Sequence, residues 1–346
     1  MLTLVLSTLL LANAEDVLAQ AHDAGVFDGE VLVARDGKVV SERAYGLADA
    51  TSKTPHLTGE VWRWASVTKQ LTAVLVMQEV ERKHLTLETT IGAVLPSFKG
   101  ATKNTVTVRM LLQHTSGLPN PDDTPAGEGG VPAFYRGPAD LPTALAFCAG
   151  PVKPVTPGST FSYDNCDYRV LEAMLEAVTH LPWKVLVQQR FGTRLALERL
   201  AVAARSPVVG VDEQGHPEPA LSLETFGAAG ALGGTLNELF RFDEALRTGK
   251  LLGTAALATL WKGEPKLGFE ALGQWSYDAK LAGCSKPVHV VERRGDIGGV
   301  VLVNVIAPER PGEVLVFSNT AKTDWGQVWQ GQGLLHDVLA AAFCAP

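Results

Sequence analysis

Ser66 and Lys69 lie three residues apart in the stretch WASVTKQ, at the start of an apolar segment with helical spacing. Residues three apart share one face of a helix, so the hydroxyl and the amine can touch. A serine hydroxyl becomes an effective nucleophile when a base lies beside it. A lysine can be that base if burial or neighbouring groups lower its pKa. Alone, such a pair is more often a helix N-cap followed by a solvated lysine.

A second stretch, FSYDNCDY, contains the only Tyr-x-Asn of the chain, formed by Tyr163 and Asn165. A tyrosine facing a lysine ammonium would have its phenolate favoured, and it could carry a proton to a leaving group. The amide of Asn165 could fix Lys69 or hold a substrate carbonyl. The ordinary alternative is a core tyrosine beside a polar turn. His114, in LLQHTSGLP, is expected to be a structural loop residue, because Ser66 has a nearer candidate base.

Together these stretches resemble the serine β-lactamase and penicillin-binding-protein superfamily, in particular its class C β-lactamase, D-alanyl-D-alanine carboxypeptidase and family VIII esterase-like branch. WASVTKQLTA is similar to the nucleophile segment, LLQHTSGLP to a characteristic loop, and GAAGALGGTLNELFRF to a later glycine-rich turn and helix. The resemblance implies that Ser66 attacks a carbonyl and forms an acyl-enzyme. It implies that Lys69 and Tyr163 move the proton, and that Asn165 orients the lysine and the substrate. Backbone N–H groups of Ser66 and Asp296 would form the oxyanion hole.

The family's third element, Lys-Thr-Gly or His-x-Gly on a strand lining the cleft, is matched imperfectly by ERRGDIGG. We align the segment 293–295 with it. Arg293 then keeps a cation that could hold a substrate carboxylate, and Gly295 lets a substrate backbone approach. An alternative register places the segment 296–298 (Asp-Ile-Gly) there. Either departure favours an esterase or amidase over turnover of β-lactams or peptidoglycan.

The order of elements predicts one sheet built from both ends of the chain. Two Val-rich runs flank Asp36-Gly37, which indicates a β-hairpin, and strand patterns return near the C-terminus after a mostly helical middle. We therefore expect an α/β (α+β) fold of the β-lactamase/transpeptidase-like type, with an antiparallel sheet flanked by helices and an inserted helical lobe. The predicted organisation is a single domain over 15–346, with a sheet lobe at about 15–65 and 250–346 and a helical lobe at about 66–249.

A long loop, residues 120–138, is dense in glycine and proline, and a loop of that length is often functional. The composition is globular, with 346 residues of which 46% are hydrophobic and 19% charged. The net charge is −7 without a basic block, so nucleic acid is an unlikely partner. We expect no metal and no organic cofactor, because the cysteine spacing fits no zinc site. The expected partner is a small molecule or peptide with a carbonyl group.

The first residues, MLTLVLSTLLLANA, form an apolar run with small residues around a possible cleavage point. We interpret residues 1–14 as a signal peptide, which predicts export to the periplasm or the medium. If the run is instead an N-terminal helix, the protein is cytoplasmic. No stable membrane anchor is indicated. The four cysteines fit either disulfides or buried free thiols.

The sequence thus predicts a serine hydrolase acting through Ser66 on a β-lactam, a D-amino-acid peptide or an ester. The alternative is a non-catalytic module that keeps the fold for ligand recognition. The altered third element motivates that alternative, whereas the joint presence of the serine, lysine, tyrosine and asparagine argues against it.

Overall fold

The central sheet is built from strands at both ends of the chain. The structure is a computed structural model that describes residues 13–127, 130–137, 140–219 and 221–344. The strands are β1 (Gly29–Arg35), β2 (Lys38–Tyr45), β3 (Leu47–Asp49), β4 (Thr54–Pro55), β5 (Trp62–Arg63), β6 (Ala201–Val202), β7 (Leu232–Gly234), β8 (Trp275–Ala279), β9 (Val288–Ile297), β10 (Val300–Ala307) and β11 (Gly312–Ser318). Six of them form an antiparallel sheet in the order β2-β1-β11-β10-β9-β8.

Ten α-helices cover this sheet and fill the middle of the described chain. They are α1 (Ala14–Asp23), α2 (Thr68–Glu81), α3 (Ile91–Val94), α4 (Val108–Leu112), α5 (Leu141–Cys148), α6 (Asn165–Thr179), α7 (Trp183–Val187), α8 (Leu236–Arg247), α9 (Thr254–Leu260) and α10 (Leu334–Cys344). Short 3₁₀ turns occupy Ala65–Val67, Pro121–Asp123, Ala133–Arg136, Leu223–Ala229, Pro265–Leu267 and Val328–Gln330, and a π-helical turn occupies Gln188–Thr193. This mixed architecture confirms the predicted fold class.

The predicted hairpin joins β1 to β2. Asp36 and Gly37 adopt φ angles of 51° and 70°, in the left-handed region that aspartate tolerates and glycine favours. Both faces of β1 are then buried. Val31 and Val33 pack with α1 and α10, whereas Leu32 packs toward the helical lobe. Burial on both faces explains why the strands read as almost continuous apolar runs rather than as alternating patterns.

Helix α2 crosses the interior and is buried on all sides from Thr68 to Glu79. A helix surrounded in this way must satisfy its polar side chains internally. Gln70 Nε2 donates to Asp243 Oδ1 at 2.7 Å, and Thr72 Oγ1 donates to the carbonyl oxygen of Ala228 at 3.0 Å. These bonds fix α2 against α8 and against the turn that precedes β7.

A second, three-stranded sheet in the order β5-β7-β6 was not predicted from the sequence. It lies next to the start of α2, because Trp62 of β5 pairs with Gly234 of β7. A Cβ atom on the neighbouring Gly233 would lie 2.6 Å from the Trp62 carbonyl oxygen, so glycine is required for this close approach. The glycine-rich stretch therefore packs tightly beside the segment that leads into α2.

Two disulfides form among the four cysteines. Cys148–Cys166 joins the end of α5 to the first turn of α6, and Cys284–Cys344 joins the loop before β9 to the end of α10. The structure therefore favours disulfides over the alternative of free thiols.

The predicted boundary after residue 14 falls in the first turn of α1. Asn13 caps this helix, accepting a hydrogen bond from Asp16 N, and Ala14 is buried. Residues 1–12 of the predicted signal peptide lie outside the described residues. None of the described helices is long and apolar enough to cross a bilayer.

Candidate active site

Ser66 lies in a tight turn that opens toward a cleft. The 3₁₀ turn Ala65–Val67 leads directly into α2. Ala65 has a φ of 44°, an unusual conformation for a residue with a side chain, which typically costs about 1–3 kcal/mol and is concentrated at functional sites. From Trp64 to Glu79, Ser66 alone keeps partial exposure. The fold thus buries the whole segment except the one hydroxyl.

The amine of Lys69 lies one helical turn further on and is completely buried. Its Nζ is 3.1 Å from Ser66 Oγ, 2.7 Å from Asn165 Oδ1 and 2.7 Å from the carbonyl oxygen of Ala229. Burial, followed by the nearby charge of Arg293, holds the pKa of Lys69 well below its ordinary value. A neutral amine is therefore favoured at this position.

The hydrogen bonds around that neutral amine determine where its lone pair points. A neutral lysine has two N–H groups and one lone pair. The oxygens of Asn165 and Ala229 accept the two hydrogens, since both are acceptors. The lone pair is left for Ser66 Oγ, whose O–H can donate to it. This is the arrangement that general-base removal of the serine proton requires.

Asn165 is itself fixed by a carboxylate. Its Nδ2 lies 3.1 Å from both carboxylate oxygens of Asp122, which can only accept hydrogen bonds when ionised. The amide nitrogen must therefore face Asp122 and the amide oxygen must face Lys69. Tyr135 Oη adds a contact of 2.9 Å to the same nitrogen. Both Asp122 and Tyr135 come from the long loop that was expected to be functional.

Tyr163 lies on the other side of the serine. Its Oη is 2.6 Å from Ser66 Oγ and accepts a hydrogen bond of 3.0 Å from Arg293 Nη2. Burial raises the pKa of Tyr163 above its ordinary value, although the guanidinium of Arg293 acts in the opposite direction. The expectation that its phenolate would be favoured is corrected by this burial. A neutral phenol that donates to Ser66 Oγ is the favoured form.

Arg293 lies beneath the nucleophile rather than in front of it. Its side chain is 1% exposed, its Nε donates to the Ser66 carbonyl oxygen at 2.9 Å, and its guanidinium carbon lies 5.4 Å from the ring of Trp275. The structure thus brings Arg293, not the side chain of Asp296, to the Ser66–Tyr163 pair. Arg293 nevertheless borders the cleft, so its expected contact with a substrate carboxylate stays a prediction.

Gly295 has a packing reason for lacking a side chain. A Cβ atom there would lie 2.7 Å from the Trp64 carbonyl oxygen and 3.2 Å from Ala65 Cβ. Strand β9 can therefore approach the nucleophile turn only with glycine at this position. Sequence reasoning attributed Gly295 to substrate access, and the structure adds a direct contact with the turn that carries Ser66.

His114 is a structural residue in this arrangement, as expected. Its ring is completely buried, its Nδ1 lies 3.1 Å from Asp167 Oδ2, and its centroid lies 4.5 Å from that of Tyr163. Burial holds the pKa of His114 well below its ordinary value. The neutral imidazole supports the tyrosine ring from behind and does not contact Ser66.

The cleft in front of Ser66 has a volume of about 520 Å³. Its wall is largely apolar and aromatic, formed by Val131, Pro132, Tyr135, Leu221, Phe226, Trp275 and Ile297. The charged residues on the wall are Asp122, Arg293, Arg294 and Asp296. Among the described residues, no group of three or more His, Cys, Asp or Glu side chains is arranged to hold a metal ion.

This arrangement can be compared with known proteins. Residues 13–330 match the family model described as Beta-lactamase. The chain belongs to the Beta-lactamase family. Among the curated relatives of this family member, penicillin-binding protein 4 of Amycolatopsis lactamdurans is 31% identical over 161 residues, which is 46% of this chain and 40% of the relative. Esterase EstB of Burkholderia gladioli is 35% identical over 114 residues, 32% of this chain and 29% of the relative.

A D-aminopeptidase of Cereibacter sphaeroides is 30% identical over 181 residues, 51% of this chain and 34% of the relative. The matched segments thus span well under two thirds of these relatives. Among solved structures, D-amino acid amidase from Ochrobactrum anthropi SV3 aligns with a TM-score of 0.77 at 19% identity, covering 95% of this chain and 97% of that one. This likeness establishes the fold of the Beta-lactamase family member, and the match to the family model confirms the resemblance read from its motifs.

Several residues of the site carry no motif in this Beta-lactamase family sequence. Asp122 and Tyr135 could have been suspected only from the length of their loop. Ala229 contributes a backbone oxygen, which no sequence pattern identifies. Trp275 begins a short strand and was not distinguished from other core aromatics.

Gly295→Ala tests the contact between β9 and the nucleophile turn. The added methyl group would overlap the Trp64 carbonyl oxygen, so we expect a loss of about 1–3 kcal/mol in the free energy of unfolding. Gly137→Ala is the matched control, because its Cβ would lie no closer than 3.5 Å to Phe134 O and its φ is −92°. Urea denaturation of both variants measures the difference. An equal effect in the two would contradict the packing role of Gly295.

Proposed function

We propose that this Beta-lactamase family member is a serine hydrolase that forms an acyl-enzyme through Ser66. The observation that carries the proposal is the position of Ser66 Oγ, 3.1 Å from Lys69 Nζ and 2.6 Å from Tyr163 Oη. An amine whose two hydrogens are already bonded elsewhere offers its lone pair to the serine proton. A phenol on the opposite side offers a proton. The serine therefore lies between a base and an acid, as acyl transfer requires.

In the acylation step, Ser66 Oγ bonds to the substrate carbonyl carbon while its proton passes to Lys69 Nζ. Backbone N–H groups of Ser66 and Asp296 are proposed to receive the oxyanion, aided by the start of α2. Tyr163 then gives its proton to the leaving group as the C–O or C–N bond breaks. The guanidinium of Arg293 stabilises the phenolate that remains.

In the deacylation step, that phenolate takes a proton from a water molecule whose oxygen attacks the acyl carbon. The bond from the acyl carbon to Ser66 Oγ breaks, and the Lys69 ammonium returns its proton to the serine oxygen. The products are a carboxylic acid and the enzyme in its starting protonation state. Protons thus balance over the cycle without any cofactor in the proposed steps.

The charges on the cleft wall favour acyl donors without a carboxylate. Arg293 is buried, and Arg294 is paired with Glu292 and bonded to the Gly326 carbonyl oxygen at 3.1 Å. Arg294 is thus already paired, and the Nε and Nη2 of Arg293 are bonded to Ser66 O and Tyr163 Oη. Asp296 is exposed, and its side chain makes no hydrogen bond or ion pair with any described residue, whereas the carboxylate of Asp122 accepts hydrogen bonds from Asn165 and Tyr135. A substrate carboxylate would meet the unpaired side chain of Asp296, whereas the two cations on the wall are buried or paired.

Some of the named relatives support this substrate class, whereas others are penicillin-binding proteins. The supporting ones include an esterase, a D-aminopeptidase and, among similar folds, a D-amino acid amidase. We therefore propose esters or amides with an apolar or aromatic acyl group as substrates, in preference to β-lactams and peptides that end in a carboxylate. The aromatic wall formed by Phe226 and Trp275 suits such acyl groups.

Intact-mass analysis tests the acyl-enzyme. Incubation with p-nitrophenyl butyrate should add one butyryl group and release nitrophenol, and both signals should disappear in Ser66→Ala. Lys69→Met should lower kcat/KM by roughly 10²–10⁴-fold, because it removes the base. Ser159→Ala, an exposed serine, is the control and should behave as the wild type. A folded protein that neither acylates nor hydrolyses esters or amides would support the non-catalytic recognition module instead.

The charge preference is tested with two esters that differ at one position. p-Nitrophenyl butyrate and p-nitrophenyl hemisuccinate carry four-carbon acyl groups ending in a methyl group and a carboxylate, respectively. We expect kcat/KM to be at least about tenfold higher for the butyrate than for the hemisuccinate. Asp296→Asn should lower this butyrate-to-hemisuccinate ratio by roughly two- to tenfold. A preference for the hemisuccinate would instead support a carboxylate contact with Arg293.

We also propose that the protein is exported, as its N-terminal apolar run predicts. The two disulfides support this proposal, because such bonds persist mainly in oxidising compartments. Expression with residues 1–14 intact should place the protein in the periplasm or the medium, with no thiol open to alkylation. Recovery in the cytoplasm with four alkylated cysteines would contradict export.

A further inference from the structure

Glu270 is a buried carboxyl group that the proposed reaction does not use. Its residue is 0% exposed, and neither of its side-chain oxygens has a hydrogen-bond partner among the described residues. Buried carboxyl groups almost always have such partners, because losing water without a replacement is costly. The surroundings of Glu270 must therefore explain why its two oxygens have no partner.

The loop that carries Glu270 packs against the catalytic network from behind. Glu270 forms a β-bridge with Trp275, whose ring lies 5.4 Å from the guanidinium carbon of Arg293. Further along the loop, a Cβ atom on Gly273 would lie 3.4 Å from the Lys69 carbonyl oxygen. The loop thus reaches both the arginine and the helix that carries the base.

Arg293 also has a buried polar atom without a hydrogen-bond partner among the described residues. Its Nε and Nη2 donate to Ser66 O and Tyr163 Oη, but its Nη1 is buried without a partner among the described residues. No direct ion pair joins this nitrogen to Glu270. A buried donor on Arg293 and two buried acceptors on Glu270 thus remain unsatisfied, although the charge of Arg293 acts on the Glu270 carboxyl group.

We propose that Glu270 and Nη1 of Arg293 share a buried water molecule, and that Glu270 is a positioning residue for the reaction. A bound water needs two to four polar partners, and the carboxyl oxygens and the guanidinium nitrogen supply them. Through this bridge Glu270 holds the guanidinium against Ser66 O and Tyr163 Oη. The positioning role rests on the proposed function, whereas the water bridge does not.

Charged and titratable groups surround Glu270 from three elements. Arg293 lies on β9, Lys69 on α2 and Tyr168 on α6, with Tyr163 just before α6. Burial raises the pKa of Glu270 to about 8, while Arg293 and Lys69 act to lower it. Once ionised, Glu270 raises the pKa of Tyr163 and so keeps its phenol protonated to a higher pH.

A crystal structure of the protein tests the bridge directly. We expect an ordered water peak within about 3.2 Å of both a Glu270 carboxyl oxygen and Arg293 Nη1. The proposal is overturned if no such peak is present in well-defined density, or if Nη1 turns toward the cleft. This result does not depend on finding a substrate.

The pH dependence of kcat/KM tests the positioning role. Glu270→Gln keeps the size of the side chain but cannot ionise, so the alkaline limb of the profile should move to lower pH by roughly half a unit or more. Glu264→Gln, in the same loop, is the control and should leave the profile in place. A purely structural role would lower the melting temperature without moving the limb, and superimposable normalised profiles would therefore refute the proposal.

Stability measurements supply a readout that needs no activity. The folded-state pKa of Glu270 is raised from 4.5 to about 8, so its contribution to stability is complete below pH 4.5 and is lost as the pH rises toward 8. Chemical unfolding should show this loss in the wild type and a smaller loss in Glu270→Gln. Equal pH slopes in the two proteins would mean that the carboxyl group is not desolvated, and the bridge would be rejected.

Discussion

Burial of the Lys69 amine is the constraint on which the rest of the site depends. A buried ammonium is costly, so this position favours the neutral form, which the proposed reaction needs as its base. The neutral form is useful only if its lone pair points at Ser66. The carbonyl oxygen of Ala229 and the amide oxygen of Asn165 ensure this, because they accept both hydrogens. The reactivity that we propose for Ser66 therefore depends on these acceptors as much as on the Ser-x-x-Lys spacing.

The site consequently depends on several distant segments at once. The 3₁₀ turn before α2 brings the serine, and α2 brings the lysine. The first turn of α6 brings Asn165, the turn before β7 brings Ala229, and β9 brings Arg293. The Cys148–Cys166 disulfide anchors the start of α6 immediately beside Asn165. Because each segment supplies one group, the site forms only when the whole fold has assembled.

Much of the fold could be predicted because its signals are local. The Asp36-Gly37 turn, the runs of β1 and β10 and the helical spacing of α2 all depend on neighbouring residues. The β5–β7 sheet could not be predicted, since its strands are two or three residues long and show no periodicity. Ser66 and Lys69 could also be predicted, because a local motif identifies them. The groups around them come from distant parts of the chain.

The pKa of Tyr163 shows why the protonation states in the site could not be predicted from the sequence. Considering one neighbouring charge favoured a phenolate, but burial outweighs that charge and favours the phenol. Burial is a property of the whole assembled core, so no local pattern reports it. The same holds for Arg293, whose depth below Ser66 follows from the close approach of β9 that Gly295 permits.

An arginine at position 293 has a consequence that a lysine or histidine would not have. Arginine side chains, unlike those of lysine and histidine, keep their charge throughout the range where proteins are stable, so the charge beside Lys69 and Tyr163 is constant. That constant charge lowers the proton affinity of both groups. The guanidinium also donates a hydrogen bond to the phenol oxygen and accepts no proton itself. In the proposed reaction, proton movement at the serine is thereby confined to one amine and one phenol. The imperfect third motif is thus compatible with the chemistry, since it replaces a titratable cation with a permanent one.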